Sequence, residues 1–296
     1  MTGSAKVFST IGLVGKTDDP AVDDALRDVA GYLQTRGVDI IIDERNATPL
    51  PDLAAAALND IARRADLVII IGGDGTLLHT ARGLAEYGVP IVGINRGRLG
   101  FLTDIGHDQV QEALARILDG DFEEDPRFML DTELRNAAGE GLGDSRALND
   151  VVIHKWNTAR MIEFEIWING RFVDAQRSDG LIISTPTGST AYALSGGGPL
   201  VCPNLNAILL VPICPHTLGN RPIVVGGDDV LELRVSERNE NGHVHITCDG
   251  QNSFVLSPDD KVTIRKAARP VRLLHPTGYD HFDILRNKLR WGGQRH

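Results

Sequence analysis

Residues 67–71 form an unbroken apolar, mostly β-branched run that stops at Gly72-Gly73-Asp74-Gly75-Thr76. A run without polar alternation is buried on both faces, as in a parallel sheet under helices. Leu77, Ala81, Leu84 and Ala85 then recur at helical spacing, so the glycines mark a strand-to-helix turn. Around it, 7–14, 38–42 and 90–94 read as strands, and 21–36, 52–62 and 107–118 as helices, with Gly37 closing the first. Strands alternating with helices predict a doubly wound parallel sheet. The loop 95–102 leaves the carboxyl end of its strand and should border the same crevice as Asp74.

Near residue 122 helical periodicity gives way to alternation, at 128–134, 151–154, 162–168, 172–175 and 181–184. It continues at 207–211, 230–235, 243–248, 253–256 and 262–266. Asn169-Gly170 is a strong hairpin-turn signal, and the polar, glycine-rich stretch 136–145 reads as a hairpin loop. This half is expected to be antiparallel, in two packed sheets. A strand at 271–274 and a helix at 281–291 cannot make a core alone and should complete the first domain. The predicted class is α/β plus all-β. A Rossmann-like doubly wound domain, 1–125 completed by 271–296, carries an inserted two-sheet β-sandwich domain, 126–270.

Composition adds little to this but excludes some partners. The hydrophobic content of 42% and charged content of 24% are those of a soluble globular chain. A formal charge of −10 argues against a general nucleic-acid or acidic-membrane binder. Cys202, Cys214 and Cys248 show no Cys-x-x-Cys spacing and read as free, buried thiols. The N-terminus lacks a secretory pattern, and the longest apolar run, 207–214, is far short of the roughly 20 residues of a span. The expectation is a soluble cytoplasmic protein that binds neither nucleic acid nor membrane.

The aspartate decides what the glycine turn is for. A loop built only to hold phosphate would not carry a carboxylate, which phosphate repels. Asp74 becomes useful where a metal ion intervenes, or where it faces a hydroxyl that must lose its proton to attack a phosphoryl group. No Gly-Lys-Ser/Thr follows, and the Gly-x-Gly-x-x-Gly spacing is absent, so the turn is neither of those nucleotide loops. A sharp turn with Asp74 as helix N-cap is the purely structural alternative.

In the second half, Asn149-Asp150 precedes the apolar run 151–153 and suits a sugar diol or an adenine edge, or simply a turn at a strand start. Arg177-Ser178-Asp179-Gly180 enters the strand 181–184, and a hydroxyl-rich stretch, 185–192, leaves it. Its hydroxyls, with the start of a helix expected at 190–195, suit phosphate or ribose; a plain loop is the other reading. His243 and His245 are expected to be solvated, and His216 to sit in a proline-rich turn. No cluster has zinc spacing, and no Gly-x-Ser-x-Gly elbow appears.

With Gly72 to Thr76, Asn149-Asp150 and the run from Arg177 through Gly198 named, the chain resembles the NAD kinases. Cys214-Pro215-His216-Thr217-Leu218 and Asp249-Gly250-Gln251 match further stretches of that family, in its order. The glycine-aspartate turn alone is shared with phosphofructokinases and diacylglycerol-type lipid kinases. The resemblance implies an α/β domain, a dinucleotide-binding β-sandwich, and transfer of the ATP γ-phosphate to the adenosine 2′-hydroxyl of NAD, giving NADP. Asp74 would be the proton acceptor, and Gly75 and His79 would lie against the dinucleotide. Asn149 and Asp150 would hold an adenosine portion. Arg160, Arg177, Asp179, Thr190, Ala191, Tyr192, Ala193, Leu194, Ser195 and Gln251 would line the same site. Gly72, Gly73, Gly75 and Thr76 would hold ATP phosphate. Mg²⁺ or Mn²⁺ is implied with ligands unassigned, as is a homodimer or homotetramer. A lipid kinase would need an apolar entrance, whereas 177–198 is rich in hydroxyls and charge; a non-catalytic dinucleotide sensor would gain nothing from Asp74.

Overall fold

Leu67–Ile71 is a strand in which every residue is buried, as its lack of polar positions requires. In the computed structural model, which describes residues 7–97, 100–217 and 219–291, the chain divides into two compact units. One comprises Met1–Pro126 with Val271–His296, and the other Arg127–Pro270.

The first unit contains β1 (Thr10–Gly15), α1 (Pro20–Thr35), β2 (Asp39–Asp43), β3 (Ala54–Ala56), α2 (Leu58–Arg64), β4 (Leu67–Ile71), α3 (Asp74–Leu84), β5 (Ile91–Ile94) and α4 (Val110–Leu118). β6 (Phe122–Arg127) follows. Its seven-stranded sheet runs β3-β2-β1-β4-β5, then a strand from the end of the chain, then β6. β1 to β5 pair in parallel throughout. Ile11, Leu13, Leu67, Ile69, Ile71, Val92 and Ile94 share one core cluster with the apolar faces of α1 and α4. The opposite face takes α2: a Cβ on Gly12 would overlap Ile61, so only glycine lets that helix sit down. Burying one such aliphatic side chain contributes about 1.5–3 kcal/mol, so this layer dominates the unit's stability.

The second unit opens with β7 (Leu130–Arg135), β8 (Gly141–Ala147), β9 (Asp150–Lys155), β10 (Ile162–Ile168), β11 (Arg171–Ser178) and β12 (Gly180–Ser184). After the single helical turn α5 (Tyr192–Ser195) come β13 (Ala207–Ile213), β14 (Ile223–Gly226), β15 (Leu231–Val235), β16 (Val244–Cys248), β17 (Asn252–Leu256) and β18 (Lys261–Lys266). These make two six-stranded sheets, β11-β10-β15-β18-β7-β8 and β14-β13-β12-β9-β16-β17. Leu130, Phe164, Leu233 and Val262 of the first meet Val151, Leu181, Leu210 and Ile246 of the second in one core. Asn169 and Gly170 both take positive φ, 51° and 72°, the geometry of the tight hairpin their sequence announces. β12 is buried on both faces because Ala193 and Val201 cover its outer side at Ile182.

The chain ends with β19 (Val271–Pro276) and α6 (His281–Leu289). β19 pairs in parallel with β5, Leu273 opposite Ile91, so the returning segment joins the sheet of the first unit.

Several expected elements differ. The helix at 52–62 is instead strand β3 followed by the shorter α2, because Ala54–Ala56 completes the sheet edge against Ile41 to Asp43. The loop at 136–145 contains the start of β8, whose glycine-rich sequence has little strand propensity but pairs with β7. β14 was not anticipated, being short, with Ile223 and Val224 exposed. The first strand starts at Thr10, and the helix at 190–195 is a 3₁₀ turn, Thr187–Thr190, followed by α5. All three cysteines are free, but only Cys248 is buried; Cys214 is exposed and Cys202 half-buried.

Candidate functional site

Gly73, not Asp74, is the N-cap of α3, and Asp74 is its first helical residue. None of Gly72, Gly73 and Gly75 uses positive φ. Gly72 is required for a different reason, since a Cβ there would press on Thr76 at 2.7 Å. Its N–H is spent on the Ile94 carbonyl (2.9 Å), and the Thr76 N–H on Gly73 (3.0 Å). At Gly73 and Gly75 a Cβ would meet nothing within 4 Å, so the turn presents bare backbone at two points.

The loop after β5 reaches Asp74, as its position predicted. Asp74 Oδ2 accepts from the Phe101 N–H at 2.8 Å. Oδ1 accepts from the N–H groups of Leu102 and Thr103, both at 3.1 Å, and from the Thr103 hydroxyl at 3.0 Å. A Cβ on Gly100 would fall inside this carboxylate, so only glycine fits. Asn95 braces the loop, donating to Thr103 Oγ1 at 2.8 Å and accepting from the Gly97 N–H at 2.6 Å. Among the described residues, Oδ1 has three donors and Oδ2 one, which leaves Oδ2 the oxygen with more acceptor capacity. Arg98 and Leu99, within the expected loop, lie outside the described residues, as does Leu218 of the Cys214 motif.

His79 is exposed on α3, 3.5 Å from the Arg45 guanidinium. Arg45 is itself held by buried Asp43 at 2.8 and 3.0 Å, and this hydrogen bonding raises its pKa above the usual arginine value.

In the second unit, Asn149 and Asp150 are held by a residue the sequence reading mentioned only as part of a motif. Asp249 and Gly250 form the β16–β17 turn with φ of 52° and 62°. The Asp249 carboxylate accepts from the N–H groups of Leu148 (3.0 Å), Asn149 (2.8 Å) and Asp150 (3.3 Å). Its N–H donates back to the Asp150 carbonyl at 2.9 Å. Asp150 is buried, and burial, with the Asp249 charge adding, pushes its carboxyl up to about 7. Asp-Gly in a hairpin was the available signal; that the aspartate would cap a distant strand start was not.

These residues border a cavity of about 560 Å³ on the outer face of the second sheet. Asn149, Asp150, Asp179, Ala191 and Tyr192 line it, with His154, Lys155 and Thr247, which carry no motif. Lys155 pairs with Asp179 at 2.8 Å. His245, 6.1 Å from His154 between ring centroids, stacks on Trp156 at 5.0 Å, so it is partly buried rather than solvated. Burial, then the neighbouring His154, lowers its pKa.

The other expected residues are dispersed. Arg160 is exposed and pairs with Glu240 at 2.6 Å. Arg177 lies 3.7 Å from Glu163 and borders a different cavity, with Arg234 and Arg238. Ala193 packs in the core beneath the segment, while Thr190, Leu194 and Ser195 lie beside it and Gln251 is exposed in the β16–β17 turn. The loop hydroxyls mostly serve the fold. Thr185 donates to the Leu148 carbonyl at 2.6 Å, Ser189 to Pro186 at 2.6 Å, and Thr190 to Thr187 at 3.1 Å. A Cβ on Gly188 would overlap the Asn149 carbonyl, so this loop and the Asn149 strand start fit together only through glycine.

Residues 11–122 match the family model of the ATP-NAD kinase N-terminal domain, and 148–276 that of the ATP-NAD kinase C-terminal domain. An NAD kinase of Chromohalobacter salexigens is 48% identical over 292 residues, spanning 97% of this chain and 98% of the relative. That of Nitrosococcus oceani is 48% identical over 290 residues, with coverages of 97% and 98%. Among solved structures, an NAD kinase from Archaeoglobus fulgidus in complex with ATP superposes with a TM-score of 0.73 at 27% identity, over 96% of this chain and 100% of that one. The fold is also that of yeast NADH kinase complexed with NADH, with a TM-score of 0.90 at 22% identity, over 97% and 89%.

Proposed function

This chain belongs to the ATP-NAD kinase family, which makes NADP from NAD and ATP, and we propose that Asp74 is its proton acceptor. In this reading the adenosine 2′-hydroxyl of NAD gives its proton to Asp74 as its oxygen attacks the γ-phosphorus of ATP, with ADP as leaving group. The observation that carries it is the Asp74 carboxylate: among the described residues four donors fix it in place, three of them on Oδ1, so Oδ2 is the oxygen with room for a further donor. The bare backbone at Gly73 and Gly75 supports close approach of the ATP phosphates, and the positive end of α3 favours them. His79, at the following turn, is assigned with Gly75 to the dinucleotide.

Among the described residues no group of three or more His, Cys, Asp or Glu side chains could hold a metal ion. Mg²⁺ or Mn²⁺ is assigned to the ATP phosphates it enters with, where it would offset their repulsion of Asp74. No helix among the described residues is long and apolar enough to cross a membrane, and a cytoplasmic homo-oligomer is the proposed state. The direct test is incubation with ATP, Mg²⁺ and NAD, with NADP read by an NADP-specific dehydrogenase. Tight NAD binding without product would make the protein a sensor instead.

Asn149 and Asp150 are assigned to an adenosine portion of NAD, with Asp179, Ala191 and Tyr192 along the same cavity. Arg160, Arg177, Thr190, Ala193, Leu194, Ser195 and Gln251 complete the proposed dinucleotide set. An Asp150 carboxyl at about 7 makes binding proton-linked. If the carboxylate accepts from an adenosine donor, binding must release the proton held at lower pH. NAD affinity should then weaken below pH about 7, approaching tenfold per unit, as titration calorimetry would read. Asp150→Asn should flatten that slope; a slope unchanged in the variant would remove Asp150 from the contact. The stability sign is opposite to that of a salt-bridged carboxylate. The group's folded value lies above its ordinary 3.8, so its stabilising contribution is lost as pH rises towards about 7.

A further inference from the structure

His275, on β19, is 2% exposed and lies between two carboxylates of the first unit. Its Nδ1 is 2.8 Å from Asp104 Oδ2 and its Nε2 3.5 Å from Asp125 Oδ2 on β6. Its ring stacks on Tyr279 at 3.8 Å and 13°. Burying an imidazole between two carboxylates costs desolvation that only their pairing and hydrogen bonding repay, so losing one partner would leave an uncompensated buried charge.

Its position indicates the site. Asp104 directly follows Thr103, the residue that gives Asp74 both its N–H and its hydroxyl. The next residue, Ile105, is bridged to Ile94 of β5, and its carbonyl accepts from the Asn95 N–H at 2.9 Å. The segment 100–104 is thus held near its end by Asn95, through Thr103 and Ile105, and by Asp104, while the Gly100 N–H closes back on the Thr103 carbonyl at 3.0 Å. We propose that His275 is a positioning residue for Asp74, clamping Asp104 so that the Phe101, Leu102 and Thr103 donors stay aimed at the carboxylate. The inference rests on Asp74 being the proton acceptor.

The charge state follows from the surroundings. Burial works against the imidazolium most strongly, but the Asp104 hydrogen bond and the nearby Asp104 and Asp125 carboxylates together outweigh it and raise His275 above its ordinary value. Tyr279 covers one ring face. On α4, Arg116 and Glu112 border the small cavity shared by Asp104 and Tyr279, and Arg116 is engaged with Asp121 at 2.6 Å and the Thr277 carbonyl at 2.7 Å. On β6, Glu123 takes the Gly278 N–H at 2.9 Å. Asp104 and Asp125 are therefore the groups that set the proton. A raised His pKa means the clamp is intact below the ordinary value of 6.5 and is lost as pH rises through the folded value.

His275→Gln keeps a donor for Asp104 but loses the charge and the second arm. Displacement of a catalytic group by a fraction of an ångström to 1 Å predicts a kcat loss of about 10- to 100-fold with KM for NAD and ATP within about threefold. Amide hydrogen exchange at Phe101, Leu102 and Thr103 should accelerate, while that of β4 stays unchanged. The high-pH fall of kcat in the parent should disappear in the variant, whose amide does not titrate. Unchanged exchange at 101–103 would overturn the inference. Accelerated exchange with normal turnover, together with an active Asp74→Asn variant, would instead overturn the role of Asp74. If His275→Gln does not fold, the parent decides: the Thr103 amide resonance should titrate with the His275 imidazole, and separate midpoints would sink the clamp.

Discussion

Asp74→Asn is expected to lower turnover by about 10²- to 10⁴-fold, the contribution of a positioned general base, while folding and NAD binding stay near normal. The geometry says why the variant should fold. Among the described residues Oδ1 has three donors and must remain an oxygen, whereas Oδ2 has one, from Phe101. The asparagine nitrogen can only occupy the Oδ2 position, where it faces a single N–H and leaves it unpaired at a cost of about 1–3 kcal/mol. That is also the position with spare acceptor capacity, so the substitution removes the oxygen proposed to accept the proton. Steady-state kinetics with calorimetric NAD binding checks both halves. Turnover within a few-fold of the parent would take the base role away from Asp74.

Asp249→Ala should have the largest effect in the second unit. It removes the acceptor of three backbone N–H groups, at Leu148, Asn149 and Asp150, and puts alanine at a φ of 52°. Charge-assisted hydrogen bonds and a left-handed backbone together predict a loss of about 2–4 kcal/mol in denaturant unfolding. NAD affinity should fall at least about tenfold, because the strand start that carries Asn149 and Asp150 is no longer held. Asp249→Asn tolerates the left-handed turn and isolates the charge. Without that charge the Asp150 carboxyl should titrate lower, moving the midpoint of the pH-dependent binding down from about 7. Wild-type stability in the alanine variant would show that Asp249 does not hold the site.

The difference between these two aspartates marks the limit of sequence reading here. Asp74 stood out in the sequence because a carboxylate is unexpected in a phosphate turn of three glycines, although its hold on the amides of 101–103 was not foreseen. Asp249 did not stand out, because Asp-Gly also makes ordinary hairpin turns, and nothing local shows that its side chain would reach amides 99 to 101 residues away. The hydroxyl-rich loop shows a second use that the sequence did not announce. Thr185, Ser189 and Thr190 looked available for a ligand, yet each donates to a carbonyl of the fold. Short polar side chains satisfy backbone groups as readily as they bind phosphate, and the sequence does not distinguish the two uses.

The sequence alone determined the elements whose burial is one-sided or total, and therefore periodic. The run at Leu67–Ile71, the amphipathic α1 and α4, the alternating strands of the sandwich and the Asn169-Gly170 turn are all decided by local hydrophobic pattern and backbone preference. Tertiary structure decided whatever depends on pairing between distant segments. It made a strand of Ala54–Ala56 and of the glycine-rich β8, set the Asp74 carboxylate under the amides of 101–103, and placed His275 against Asp104. Each of these rests on hydrogen bonds whose partners are far apart in the chain, and a donor's partner is fixed only when the fold brings the two together.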